Sequence, residues 1–157
     1  MKVAIGCDHA GFGLKEAIKM EFRKDRTIEF VDVGTYSTES VDYPDFAKKV
    51  VEKVLSGEVD RGILICGTGI GMSITANKFK GIRATLCFNE ELAGLSRRHN
   101  DSNVLVLPGR FMEVSKAVRM IKIWQKLPFD GGRHERRLEK IKEIERHTEN
   151  FVSEEKQ

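Results

Sequence analysis

The sequence predicts a doubly wound, Rossmann-like α/β fold: a three-layer sandwich around a five-stranded parallel sheet, with one further helix appended at the C-terminus. Three observations carry this. Short β-branched apolar runs alternate with longer helical ones, as in parallel βαβ units. The first, third and fifth runs are apolar on both faces, as strands covered by helices on both sides are. The intervening stretches place apolar residues at helical spacing.

In order, strands are expected near 2–7 (KVAIGC), 27–33 (TIEFVDV), 61–66 (RGILIC), 82–87 (IRATLC) and 103–107 (NVLVL). Helices are expected near 11–24, 45–56, 70–79, 90–99 and 113–127, the last ended by Pro128. The helix over 45–56 is the clearest, with Ala47, Val50, Val51, Val54 and Leu55 on one face. Asp45 after Pro44 helps to start it and Gly57 ends it. Residues 1–128 thus form the α/β body, and residues 129–157 extend the same domain. The extension opens on a glycine turn and continues as a charged helix with a narrow seam of Leu138, Ile141 and Ile144. So polar a helix adds little to its own core, which predicts packing across a partner subunit. The competing reading is a solvated helix laced with i,i+4 charge pairs.

The 157 residues suit one domain with a proper core, and 40% hydrophobic with 32% charged residues describes an ordinary soluble protein. The apolar runs fall far short of the roughly 20 residues that cross a bilayer, so no membrane association is expected. The N-terminus turns polar at Asp8, too soon for a signal peptide, which predicts a cytoplasmic protein. Three well-separated cysteines with no CxxC pair argue against a disulfide framework or a zinc site. A net charge of +3, with bases and acids interleaved, argues against nucleic acid.

Ligands of an open parallel sheet bind beyond the carboxyl ends of its strands. The sequence supplies there Cys7-Asp8-His9, Asp42-Tyr43-Pro44, Cys66 with GTGIG, Cys87 followed by Arg97-Arg98-His99-Asn100, and Pro108-Gly109-Arg110. These are acid/base groups and cations, with few aromatics to stack a nucleobase. The glycine loop is not a dinucleotide fingerprint, because GxGxxG needs glycine where Met72 or Ile74 stands. It lacks the lysine of a P-loop, and Met72 also occupies the arginine position of a Cys-x5-Arg phosphatase loop. What remains is a nest of backbone N–H groups at a helix N-terminus, suited to a developing oxyanion, with a thiol beside it.

Several residues keep two readings at this point. Cys66 is a reactive thiol or a small buried residue ending a strand, the role preferred for Cys7 and Cys87. His99 is a functional group or a cap on the last carbonyls of its helix. Arg133 and Arg137, at i,i+4, grip a phosphate or pair with nearby glutamates.

Together the segments GCDHAGFGLK, DVGTYS, VDYPDFA, GILICGTGIGMSITANKFKGIRA, LSRRHNDSNVL, PGR and GGRHERR resemble the ribose-5-phosphate isomerase type B family, which includes galactose-6-phosphate isomerase subunits. They run in order through residues 6 to 137. The resemblance implies interconversion of an aldose phosphate and a ketose phosphate through an enediolate, without metal or organic cofactor. It implies that Cys66 is the base moving the proton between C1 and C2. Some members use a glutamate at the place of Met72, so this chain resembles the cysteine type. Thr68 and the N–H groups of Gly67, Gly69, Ile70 and Gly71 would hold the enediolate. Asp8, Tyr43 and His99 would handle and open the furanose, with Asn100 on sugar hydroxyls. His9, Arg110, Arg133 and Arg137 would grip the phosphate. The family implies homodimers or dimers of dimers with shared active sites. The tail from about 148 to 157 matches no family motif. The alternatives are a hexose 6-phosphate substrate (allose or galactose) and a non-catalytic nucleotide-binding domain.

Overall fold

A computed structural model describes residues 1–151, so the end of the tail, 152–157, lies outside the described residues. The strands are β1 (Lys2–Cys7), β2 (Glu29–Asp32), β3 (Arg61–Cys66), β4 (Ala84–Leu86) and β5 (Val104–Pro108). The helices are α1 (Phe12–Glu21), α2 (Tyr43–Leu55), α3 (Ile70–Ala76), α4 (Glu90–Asn100), α5 (Val114–Lys126) and α6 (Arg133–Phe151). All five strands are parallel, in the order β2-β1-β3-β5-β4.

The predicted sheet is thus present, with β2 and β4 shorter at both ends than the sequence suggested. The helix over 45–56 begins two residues earlier. Its N-cap is Asp42, with Pro44 in the first turn and Asp45 adding negative charge there. Gly57 follows the C-cap at φ +75°, the left-handed conformation that ends many helices.

The period of two along the strands divides the core into two layers. Ile63 and Ile65 of β3, with Leu105 and Leu107 of β5, face α1 and α5 through Ile18, Ile121 and Trp124. Leu64 and Cys66, with Val104 and Val106, face α2 and α3 through Val50, Val51 and Met72. Cys66 therefore points to the α2/α3 layer at the carboxyl end of the central strand.

One ion pair is buried at that same edge. Lys15 of α1 is 0% exposed, and its ammonium donates to both oxygens of Asp32 at 2.7 Å. Burial alone would raise the Asp32 pKa, but hydrogen bonds from Lys15, Lys19 and the Gly34 N–H together hold it below the usual carboxylate value. A depressed folded-state pKa contributes stability above the unfolded value, about 3.9, that is lost as pH falls through the folded value. Asp32→Asn leaves the ammonium buried without its main partner, while Glu16 stays 3.3 Å away. We expect urea denaturation to show a loss of about 3 kcal/mol at pH 7, shrinking in acid below pH 4. A loss under about 1 kcal/mol at pH 7 would mean that the pair is structurally idle.

The extension leaves the body as the long helix α6 and also returns to its own chain. Leu138 is buried, and the Glu145 carboxylate accepts the Gly81 N–H at 3.0 Å. The contact is shallow: Ile141 and Ile144 remain 44% and 58% exposed. They line a groove of about 420 Å³ with Ile82, Arg83, Asn100 and Leu138.

Candidate active site

The strand order reverses direction between β1 and β3, and the loops that leave their carboxyl ends lie side by side there. The Asp8 N–H donates to the Ile65 carbonyl at 3.2 Å, which ties the two loops together. The Asp8 side chain is buried, and its Oδ1 accepts the N–H groups of Ala10 at 3.0 Å and Gly11 at 3.1 Å. Asp8 thus shapes the entry to α1 with one oxygen. His9 accepts the Val41 N–H on Nδ1 at 3.2 Å, so the neutral ring carries its proton on Nε2. This bond also pins the loop that delivers Tyr43.

Cys66 is 4% exposed and ends β3 directly before the glycine loop. Gly69 caps α3 with φ +78°, a conformation that L side chains resist, and this turn aims the loop N–H groups outward. The Ile70 N–H is taken by Thr68 Oγ1 at 3.2 Å. No acceptor among the described residues engages the N–H groups of Gly67, Gly69 and Gly71. The hydroxyl-bearing end of the Tyr43 ring lies against Gly71, so close that a Cβ there would stand 2.5 to 2.9 Å from ring carbons. The Arg110 guanidinium lies across Gly67, 3.3 Å from where a Cβ would sit, and the Arg110 N–H bonds the Gly67 carbonyl at 3.0 Å. One edge therefore collects Asp8, His9, Tyr43, Cys66, Thr68, the glycine loop and Arg110.

The other two cysteines differ chemically. Burial pushes the Cys7 thiol up to about 12, against the opposing pull of Lys15, and raises Cys87 as well. Both are buried thiols that stay protonated at neutral pH, which fits the small-residue role preferred for them from the sequence.

His99 and Asn100 do not join this edge. The sequence pattern groups Arg97-Arg98-His99-Asn100 with the fourth strand's carboxyl end, and the structure corrects it. A helix that follows a parallel strand runs back along the sheet, so the end of α4 lies at the amino edge, just before β5 begins. Cys66 pairs with Pro108 at the far end of β5, roughly 13 Å along that strand from Val104. Arg97 is structural: buried, it donates to Asp101, the Ser102 carbonyl and the Leu127 carbonyl. Arg133 and Arg137 open α6, which the Arg98–Asp130 ion pair at 3.1 Å and the Asp130 N–H to the Arg98 carbonyl at 2.9 Å join to the end of α4. His134, to which the sequence assigned no role, stacks on His99 with ring centroids 4.1 Å apart. Its presence in GGRHERR was the only signal, and nothing in that spacing points to His99.

A thiol beside backbone N–H groups that have no acceptor among the described residues, with a carboxylate, a phenol and a guanidinium at the same edge of an open α/β sheet, defines the reaction cradle of an α/β enzyme. The sequence model of the Ribose/Galactose Isomerase family matches residues 3–141, and the chain belongs to that family. It is 49% identical over 144 residues to ribose-5-phosphate isomerase B of Escherichia coli (strain K12), covering 92% of this chain and 96% of that protein. The crystal structure of a ribose 5-phosphate isomerase from Thermotoga maritima superposes with TM-score 0.88 at 55% identity, covering 91% of this chain and 98% of that one. Ribose-5-phosphate isomerase B of Mycoplasma genitalium, solved with bound ribulose-5-phosphate, superposes with TM-score 0.86 at 41% identity, covering 92% and 96%. No described helix is long and apolar enough to cross a membrane.

Proposed function

We propose that this chain interconverts ribose 5-phosphate and ribulose 5-phosphate through a cis-enediolate, with Cys66 as the base. The observation that carries the reading is the position of Cys66, at the end of the central strand under free amide donors. His99 takes the O1 proton and delivers one to the ring oxygen as the bond from C1 to that oxygen breaks and the C1 carbonyl forms, with Asp8 and Tyr43 holding the furanose and Asn100 its hydroxyls. The Cys66 thiolate then removes the C2 proton. Negative charge develops on the carbonyl oxygen, and the N–H groups of Gly67, Gly69 and Gly71 receive it. Thr68, by turning its hydroxyl, frees the Ile70 N–H to join them. Each such donor is worth about 2.7–4 kcal/mol in the transition state. The O2 proton then moves to O1, and Cys66 returns its proton to C1, which leaves the carbonyl at C2 with no net change in oxidation level. His9, through Nε2–H, and Arg110 hold the phosphate together with Arg133 and Arg137. That remote group supplies binding energy which positions C1 and C2.

The two halves of this set lie at opposite edges of one protomer, which supports a site shared between two copies. His99, Asn100, Arg133 and Arg137 of one copy then meet Cys66 and the glycine loop of another, in a homodimer or a dimer of dimers. A reducing cytoplasm suits three free, buried cysteines.

The purified protein is expected to convert ribose 5-phosphate to ribulose 5-phosphate with a kcat/KM at least tenfold above that for allose or galactose 6-phosphate. Higher kcat/KM on either hexose phosphate would reassign the substrate. No turnover of any of the three, with tight nucleotide binding by calorimetry, would reject the isomerase reading.

A further inference from the structure

His99 and His134 are far apart in sequence, yet their imidazoles lie face to face, with centroids 4.1 Å apart and planes within 10°. The groups around the stack come from three elements. Arg98 and the cap residue Asp101 belong to α4, Asp130 to the loop before α6, and Arg133 and Arg137 to α6. Asp101 is occupied by Arg83 at 3.2 Å and Arg97 at 3.0 Å, and Asp130 is held by Arg98 at 3.1 Å. The remaining field is positive. Partial desolvation, His99, Arg133 and Arg137 hold His134 below the ordinary histidine value, with only Asp130 pulling the other way. At neutral pH His134 is therefore a flat, uncharged ring. It can lie on His99 without repulsion whether His99 holds a proton or not.

We infer that His134 is a positioning residue: its stacked ring fixes the plane in which His99 exchanges protons with O1 and the ring oxygen of the furanose. The inference rests on the reading that His99 opens the ring. The ligand atoms of His99, Asp130 and His134 also lie within 4.8 Å of one another, close enough to suggest a metal site. Parallel rings, however, send their nitrogen lone pairs alongside each other rather than toward one point. Arg98 already holds Asp130, and Arg133 and Arg137 oppose a cation. The cluster suits proton handling, not metal ligation.

Two substrates and three variants test this. Ribose 5-phosphate must be opened before it reacts, whereas its 4-deoxy analogue has no O4 hydroxyl to close a furanose and enters as an open-chain aldose. His134→Ala is expected to lower kcat on ribose 5-phosphate about tenfold or more with KM within about twofold, because a small misplacement of a catalytic group is costly. His134→Phe keeps a flat ring and should recover most of that loss. On the 4-deoxy analogue the His134→Ala deficit should shrink to a few-fold, and His99→Ala should show the same contrast more strongly. If His99→Ala is equally impaired on both substrates, the ring-opening reading fails and the inference falls with it. If His99→Ala shows the contrast but His134→Ala does not, the positioning role alone is overturned. That role is overturned equally if His134→Phe is as slow as His134→Ala.

Discussion

Cys66→Ala is expected to lower kcat for ribose 5-phosphate by roughly 10³-fold, within the range that general acid–base groups contribute. The fold should survive. Cys66 is a small buried residue in the same apolar cluster as Met72 and Val106, and losing one sulfur from such a site costs about 1 kcal/mol. Circular dichroism and thermal unfolding therefore separate chemistry from folding. Cys66→Ser is the sharper control, since it keeps the volume and replaces the thiol with a hydroxyl that does not ionise at neutral pH. Both variants should bind ribose 5-phosphate with near wild-type affinity, because the phosphate grip proposed above lies on other residues. Turnover within tenfold of wild type in Cys66→Ala would remove the thiol from the reaction.

The second large effect is a gain. Cys66→Ala and His99→Ala should each be nearly inactive alone, and co-expressing the two chains should restore about a quarter of wild-type activity per subunit. Random pairing in a two-fold dimer makes half the dimers mixed, and each mixed dimer assembles one site with both groups intact and one with neither. The edge-to-edge separation within a protomer is what makes this outcome possible. If the mixture, shown by mass to contain mixed dimers, stayed as inactive as its components, the two groups would not be shared across copies.

How far the sequence could reach is clear from particular residues. Strands such as RGILIC were legible because both faces are buried, and the helix of Ala47, Val50 and Val51 because a single apolar stripe leaves little choice. Strand order was not legible: β5 sits between β3 and β4 through pairings such as Ile63 with Leu105 and Thr85 with Leu105, and these contacts are non-local. At the candidate site, the placement of Cys66 and the glycine loop could be read because strand, turn and helix follow one another directly. His99 was assigned to the wrong edge because chain order after a strand names the loop and the helix together, while only the helix start stays at that edge. The contact of Tyr43 with Gly71 and the stack of His134 on His99 depend on how distant elements pack, which periodicity does not record.

The outer strands of the sheet have a consequence for assembly. β2 spans four residues and β4 three, so each presents only a short row of unpaired backbone groups. Short edges give another chain little to template on, which guards against runaway strand-to-strand stacking. Any association between copies is then left to helical surfaces. Exposed isoleucines stand on just those surfaces, Ile70 and Ile74 on α3 and Ile141 and Ile144 on α6. The short outer strands thus turn the sheet away from fibre-like stacking and leave any assembly of copies to closed contacts between helices.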